Sequence, residues 1–236
     1  MANILALDTS SYRLGIAVSN EDAVLGEYMT LLKKNHALRL MPAVEVLLEE
    51  VGLKPKELDR IAVAHGPGSY TGVRMAVTTA KTLAWSLNIP LVSISTLELM
   101  AQAGKYFPGT VVPLIDARRQ TVFTGAYQYI DGELKEVLPD KHVPLDEWLN
   151  ELENVEGSFL FIGEDVGQYQ TMIENVLGER LIVAEQLLAN VRPGELCVLA
   201  SRKEPVKNLH SFAPEYLRLA EAEVNWRDAQ ERGNER

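Results

Sequence analysis

ILALDTSSYRLGIAVS, residues 4–19, sets the plan of the chain. An apolar run, Ile4 to Leu7, ends on Asp8. Four small or polar residues follow, and a strand pattern resumes at Arg13 and runs to Ser19. After a polar turn at 20–21 a third strand is predicted over residues 22–28, giving a meander of three. The same order begins again at VVPLIDARRQTVFTGAY, residues 111–127. There the apolar run ends on Asp116, a second strand covers 121–127, Asp131-Gly132 marks a turn, and a third strand covers 133–138. Asp8 and Asp116 stand at equivalent places.

The later elements repeat as well. In the first half a helix is expected over 36–51, with apolar residues at 40, 44, 47, 48 and 51. A buried strand at 59–64, a helix at 70–88, a strand at 89–94 and a short helix at 96–105 follow. In the second half come a helix at 145–152, a strand at 159–162, a helix at 167–177, a strand at 181–184 and a short helix at 185–190. Each half reads βββαβαβα. Residues 1–107 are expected to form an N-terminal lobe and 108–208 a second, smaller lobe, with the crossover at KYFPG, 105–109. A polar helix over about 211–230 is expected to pack back on the first lobe. A duplicated lobe with an Asp closing the first strand of each copy is the α/β plan of the actin-like, sugar-kinase-like ATPase fold, which is ribonuclease H-like. By fold analogy alone, the two Asp face each other across a cleft that handles nucleotide phosphates.

Size and composition exclude several classes. The chain has 236 residues, 47% of them hydrophobic and 24% charged, enough for a large core. Its net charge is −10 and its pI about 5.0. Nucleic-acid affinity comes from Lys and Arg neutralising phosphates, so contact with RNA requires a basic partner. The lone Cys197 excludes an internal disulfide, and its run LCVLA, 196–200, predicts a buried thiol. The N-terminus lacks a basic signal-peptide region, and no apolar stretch approaches the roughly 20 residues of a membrane span. A cytoplasmic chain without membrane attachment is expected.

AHGPGSYTGVR, residues 64–74, is the second informative stretch. It stops a buried strand, lays down a glycine loop and opens a helix. Gly66 and Gly68 allow backbone to approach a ligand, and Ser69 or Thr71 can cap the helix. Free N–H groups at a helix start suit an anion. No Gly-Lys-Ser/Thr closes the loop, so it is not a P-loop. A tight turn whose glycines only permit close packing is the alternative. Asp8, Thr9 and Ser10 carry the same ambiguity: a phosphate or cation contact, or an Asx turn. Together with Asp116 these are the nucleotide- or anion-binding candidates. Asp116 is followed by Ala-Arg-Arg, without the glycine of a working phosphate loop. His36, His65, His142 and His210 fall at no metal-ligand spacing, and Ser69 has no evident triad partners. No catalytic set and no metal site is read.

The two N-lobe helices each show a second apolar face. Leu38, Pro42 and Val46 lie away from the core stripe of helix 36–51, and Arg74, Thr78, Lys81 and Trp85 lie away from that of helix 70–88. A large aromatic on an outer face points to a protein interface.

ILALDTS (4–10), HGPGSYTGVR (65–74), IPLVSISTL (89–97), IDARR (115–119) and PEYLR (214–218) together resemble the TsaB, or YeaZ, family, in order along residues 4 to about 218. The resemblance implies a non-catalytic subunit of bacterial tRNA threonylcarbamoyladenosine synthesis. It implies dimerisation through the two N-lobe helices with the catalytic paralogue TsaD, and a homodimer when the chain is alone. It also implies cooperation with the ATPase TsaE, and ATP or ADP near the subunit junction, with no cofactor of the chain's own. The complex moves threonylcarbamoyl from threonylcarbamoyl-AMP to N6 of adenosine 37 in tRNAs reading ANN codons, so tRNA is met only through the complex. The paralogue's metal-binding histidines correspond to Thr96 and Met100, poor ligands for the ions used there. A free-standing actin-like small-molecule kinase is the alternative, resting on Asp8, Asp116 and the glycine loop. A peptidase is a third reading, for which neither a metal pair nor a nucleophile with a base is visible.

Overall fold

The computed structural model describes residues 2–32, 35–185 and 191–217. The first repeat comprises β1 (Ile4–Asp8), β2 (Arg13–Ser19), β3 (Val24–Leu31), α1 (Leu40–Glu50), β4 (Arg60–Ala64), α2 (Tyr70–Leu87), β5 (Leu91–Ile94) and α3 (Thr96–Ala101). The second comprises β6 (Thr110–Asp116), β7 (Thr121–Ile130), β8 (Glu133–Pro144), α4 (Leu145–Glu153), β9 (Phe159–Ile162), α5 (Val166–Leu177) and β10 (Leu181–Val183). Two five-stranded sheets result, ordered β3-β2-β1-β4-β5 and β10-β9-β6-β7-β8. Written from the meander inward the two orders are the same, as a duplicated actin-like fold requires. In each, the first strand is antiparallel to the second and parallel to the fourth. β1 is buried along its whole length, so its residues are apolar without alternation until Asp8.

Several boundaries differ from expectation. The helix expected at 36–51 begins as a 3-10 turn, His36–Leu38, capped by the Asn35 side chain, and becomes α-helical only at Leu40. The helix expected at 96–105 is α-helical to Ala101 and ends in a 3-10 turn, Gln102–Gly104. The short helix at 185–190 falls almost wholly outside the described residues. A further helix, α6 (Gly194–Arg202), carries the LCVLA run. Its Leu196, Cys197, Leu199 and Ala200 pack with Ile4, Ala6, Ala17, Ala62 and Val92. Residues after the second repeat, which the sequence reading placed in the second lobe to 208, therefore cover the open face of the first sheet. The described part of the tail expected to be helical, residues 211–217, lies against the first lobe and is not helical. There the backbone hydrogen-bonds outside itself: Lys81 Nζ donates to the carbonyls of His210 and Phe212, and Glu215 N donates to His65 O at 3.0 Å. The remainder of the expected helix lies outside the described residues. No helix among the described residues is long and apolar enough to cross a membrane.

α3 is the element common to both lobes. Its Leu97 and Ala101 share an apolar cluster with Val111, Tyr127 and Ile162. Ser95 caps it, accepting from Leu97 N and Glu98 N, and the Ser95 hydroxyl donates to Asp140 of β8. Tyr127 OH donates to the same carboxylate. On the far side of the cleft Arg13 meets Glu164 at 3.3 Å.

Burial pushes the Asp140 carboxyl above the ordinary carboxylate range, and the bonds from Ser95 and Tyr127 pull it only part of the way back. A raised value in the fold favours the neutral acid there. That stabilisation is fully present below the unfolded-state value of about 4 and is lost as pH rises through the higher folded-state value. Asp140→Asn is expected to flatten the dependence of unfolding free energy on pH above about 4, gaining on the wild type as pH rises. Urea titrations at a series of pH values check this, and parallel curves for the two proteins would contradict it.

Candidate functional site

The two lobes enclose a cavity of about 1090 Å³. Asp8, Ser10, Gly68, Ser69, Thr71 and Asp116, all expected from sequence, line it. Thr9 and Gly66 stand behind that lining.

The two aspartates do the same local work. Asp8 Oδ1 accepts from Ser10 N at 2.9 Å and Ser10 Oγ at 2.6 Å. Asp116 Oδ1 accepts from Arg118 N at 2.8 Å and from Tyr169 OH at 2.7 Å. Each closes an Asx turn at the end of the first strand of its lobe. Burial, followed by the bond to Asp116, pushes the Tyr169 phenol up to about 12. After Asp116, Arg118, Arg119 and Gln120 take φ of 67°, 53° and 60° in succession. Three consecutive non-glycine residues in the left-handed region carry a real steric cost. The turn aims Arg118 and Arg119 at the cavity. Sequence reading registered the missing glycine there but not this conformation.

The glycine loop is packed against the chain itself. Ser69 N donates to Ser10 O at 2.7 Å, and Thr9 Oγ1 donates to Gly72 O at 2.7 Å. A Cβ at Gly68 would collide with the Ser10 carbonyl and one at Gly72 with the Thr9 carbonyl. Ser69 caps α2 by accepting from Gly72 N at 3.3 Å. The glycines at 68 and 72 thus serve close backbone packing, while Gly68, Ser69, Thr71 and Gly72 also line the cavity. Of the two readings the geometry favours the tight turn.

Thr96, at the start of α3, also lines the cavity, and its buried Oγ1 has no hydrogen-bond partner. Met100 lies on the same wall. Among the described residues no group of His, Cys, Asp and Glu side chains is arranged to hold a metal ion. His65 is held by Glu215, Nε2 to Oε2 at 2.7 Å, and Phe212 packs edge-on to its ring. Cys197 is buried, and desolvation pushes its thiol up to about 12, far from a thiolate nucleophile.

The outer helical face is the second site. Leu38 is 75% exposed, Val46 58% and Trp85 66%. Pro42, Arg74 and Thr78 are exposed beside them. Met41, near the start of α1, is exposed as well, and the sequence reading passed over it. Arg74 donates to Tyr70 OH at 2.6 Å and stacks on that ring, which in turn stacks on Tyr216. Lys81 does not share this face. Its ammonium is spent on the returning tail.

A family model described as TsaD: tRNA N6-adenosine threonylcarbamoyltransferase matches residues 26–226. The chain is 50% identical over 227 residues to the tRNA threonylcarbamoyladenosine biosynthesis protein TsaB of Bacillus subtilis (strain 168), covering 96% of this chain and 99% of that protein. It is 34% identical over 127 residues to the protein of the same description from Escherichia coli (strain K12), covering 53% of this chain and 54% of that one. The solved structure of YeaZ from Pseudomonas aeruginosa superposes with a TM-score of 0.74 at 28% identity, over 92% of this chain and 100% of that one.

Gly72→Ala tests the backbone contact. A helix interior gains about 1 kcal/mol when Gly becomes Ala, but forced overpacking costs about 1–3 kcal/mol or more. The Thr9 carbonyl is backbone and cannot swing aside, so net destabilisation is expected. Gly167→Ala in α5, where a Cβ meets nothing within 4 Å, is expected to be neutral or stabilising. Denaturant midpoints of the two variants check both signs.

Proposed function

The chain belongs to the TsaB family, and from that premise we propose that it is a non-catalytic scaffold subunit in tRNA threonylcarbamoyladenosine formation. It binds the catalytic paralogue TsaD through the outer faces of α1 and α2. With TsaE, the complex transfers threonylcarbamoyl from threonylcarbamoyl-AMP to N6 of adenosine 37 in tRNAs reading ANN codons. The observation that carries this reading is the exposure of large apolar side chains on the helical side of the first lobe: Leu38 in the 3-10 turn, Met41 and Val46 on α1, and Trp85 on α2. Large apolar side chains concentrated on one surface mark an association site. Its aromatic centre is of the kind that dominates interface energetics.

The net charge of −10 supports leaving most of the RNA contact to the partner in the cytoplasm. Nucleotide, where it enters the assembly, sits at the junction of the two subunits; the glycines at 68 and 72 of this chain serve packing against the Thr9–Ser10 turn. Titration of ADP into the chain alone is expected to give no binding heat, and titration into the chain with TsaD a measurable one. Saturable binding to the isolated chain would instead favour the free-standing kinase.

Trp85→Asp and Val46→Asp are each expected to weaken association with TsaD by tenfold or more, because a charge is forced into an apolar contact. Both positions are exposed in the free chain, so thermal unfolding should shift little. Calorimetric titration against TsaD measures the loss, and unchanged affinity would remove these faces from the interface. Reconstituted modification of adenosine 37, read by nucleoside mass spectrometry, should require the wild-type chain and fall with either variant. Equal product without the chain would overturn the scaffold role.

A further inference from the structure

After α6 the chain crosses from one face of the first sheet to the other. α6 packs with Ile4, Ala6, Ala17 and Val92 on one side, whereas Val206, Leu209 and Phe212 join the apolar cluster of α1 and α2 on the opposite side. The chain rounds the outer edge of β5, where Val206 N donates to Leu91 O at 2.8 Å. Lys81 then holds the carbonyls of His210 and Phe212, and His65 O accepts from Glu215 N. This strap ends beside the first turn of α2. There the Tyr216 ring stacks on Tyr70 with 5.2 Å between centroids. The Arg74 guanidinium lies 5.2 Å from the centre of the Tyr70 ring and donates to its hydroxyl at 2.6 Å. Both rings stay open to solvent, Tyr70 to 48% and Tyr216 to 41%.

At 3.6 residues per turn, Tyr70, Arg74, Thr78 and Trp85 fall within a quarter turn of one another on α2. The stack therefore continues the outer face along the helix. α2 contains no Asp or Glu, and Lys81 is spent on the strap. Arg74 remains as an exposed cation that no carboxylate meets among the described residues, on a chain of net charge −10. We propose that the strap is a third segment of the TsaD-binding surface, and that Tyr70, Arg74 and Tyr216 together receive a carboxylate side chain of TsaD. The proposal rests on the reading of the outer helical face as the TsaD site. A guanidinium pairs with a carboxylate through two parallel hydrogen bonds. Stacking on Tyr70 holds its plane, and the clamps on the strap hold Tyr216, so little side-chain freedom is lost when the partner arrives. Tyr and Arg are among the residues that dominate interface energetics. A partner surface without an acid here would desolvate Arg74 with no compensation.

Calorimetric titration of full-length variants against TsaD at several salt concentrations tests the proposal. Arg74→Glu and Tyr216→Ala are each expected to weaken binding about tenfold or more. Wild-type affinity should fall as salt rises, and Arg74→Gln should flatten that dependence, which a merely structural anchor would not do. Hydrogen exchange of wild-type amides in residues 210–217 should slow when TsaD is added, a readout that needs no variant to fold. Trp85→Asp reports on the helical face itself. If it loses TsaD while Arg74→Glu and Tyr216→Ala bind as the wild type does, the proposal is overturned and the helical face stands. Unchanged affinity in all three variants would overturn both. An Arg74→Glu variant that loses self-association but keeps TsaD would assign the carboxylate to a second copy and likewise overturn it.

Discussion

Two stretches of bare backbone press together where the Thr9–Ser10 turn meets Gly68 and Gly72. The hydroxyl of Thr9 and the amide of Ser69 fasten that contact. It fixes where α2 begins and in what direction it leaves the sheet. Everything displayed on α2, Trp85 included, inherits its position from there.

The relation between the lobes rests mainly on apolar packing. α3 contributes side chains to a cluster with β6, β7 and β9, and full burial of one such side chain contributes about 1.5–3 kcal/mol. The Arg13–Glu164 pair across the cleft contributes far less. Glu164 is 42% exposed, and pairs of that kind are worth about 0.2–1 kcal/mol. The half-buried Asp140 sets orientation more than strength. Its bonds to Ser95 and Tyr127 align the cap of α3 with β8, so the helix that carries Thr96 and Met100 keeps one attitude to both sheets.

Period and punctuation made the duplicated fold legible. Two apolar runs each ended on Asp and each opened a βββαβαβα pattern, and the two sheets formed by β1–β5 and β6–β10 follow that repeat. The outer helical face was legible too, because Trp85 and Val46 break the polar pattern of a solvated surface. What could not be read were effects without a local signature. α6 was missed because LCVLA is too short to tell a helix from a strand, and its role is set by an exposed sheet face far away in sequence. Lys81 has the spacing of an outer residue, yet it is captured by carbonyls over a hundred positions later. Over residues 211–217 the tail is not helical, and several of its backbone groups bond to His65 and Lys81 of the first lobe.

The return of α6 to the first sheet has a consequence for how the chain comes into being. Residues 4–64 supply the central strands, but much of the face they leave bare is covered by residues 191–200, with Leu99 and Met100 of α3 beside them. During synthesis the first lobe waits, one side open, until the whole second lobe has been made. The second lobe, closed by its own α4 and α5, carries no such debt to distant sequence. Contacts this far apart along the chain close slowly. The nascent protein thus passes through a stage in which its second lobe is finished and its first is not, with Ile4, Ala17 and Ala62 lacking their α6 partners until residues 191–202 emerge.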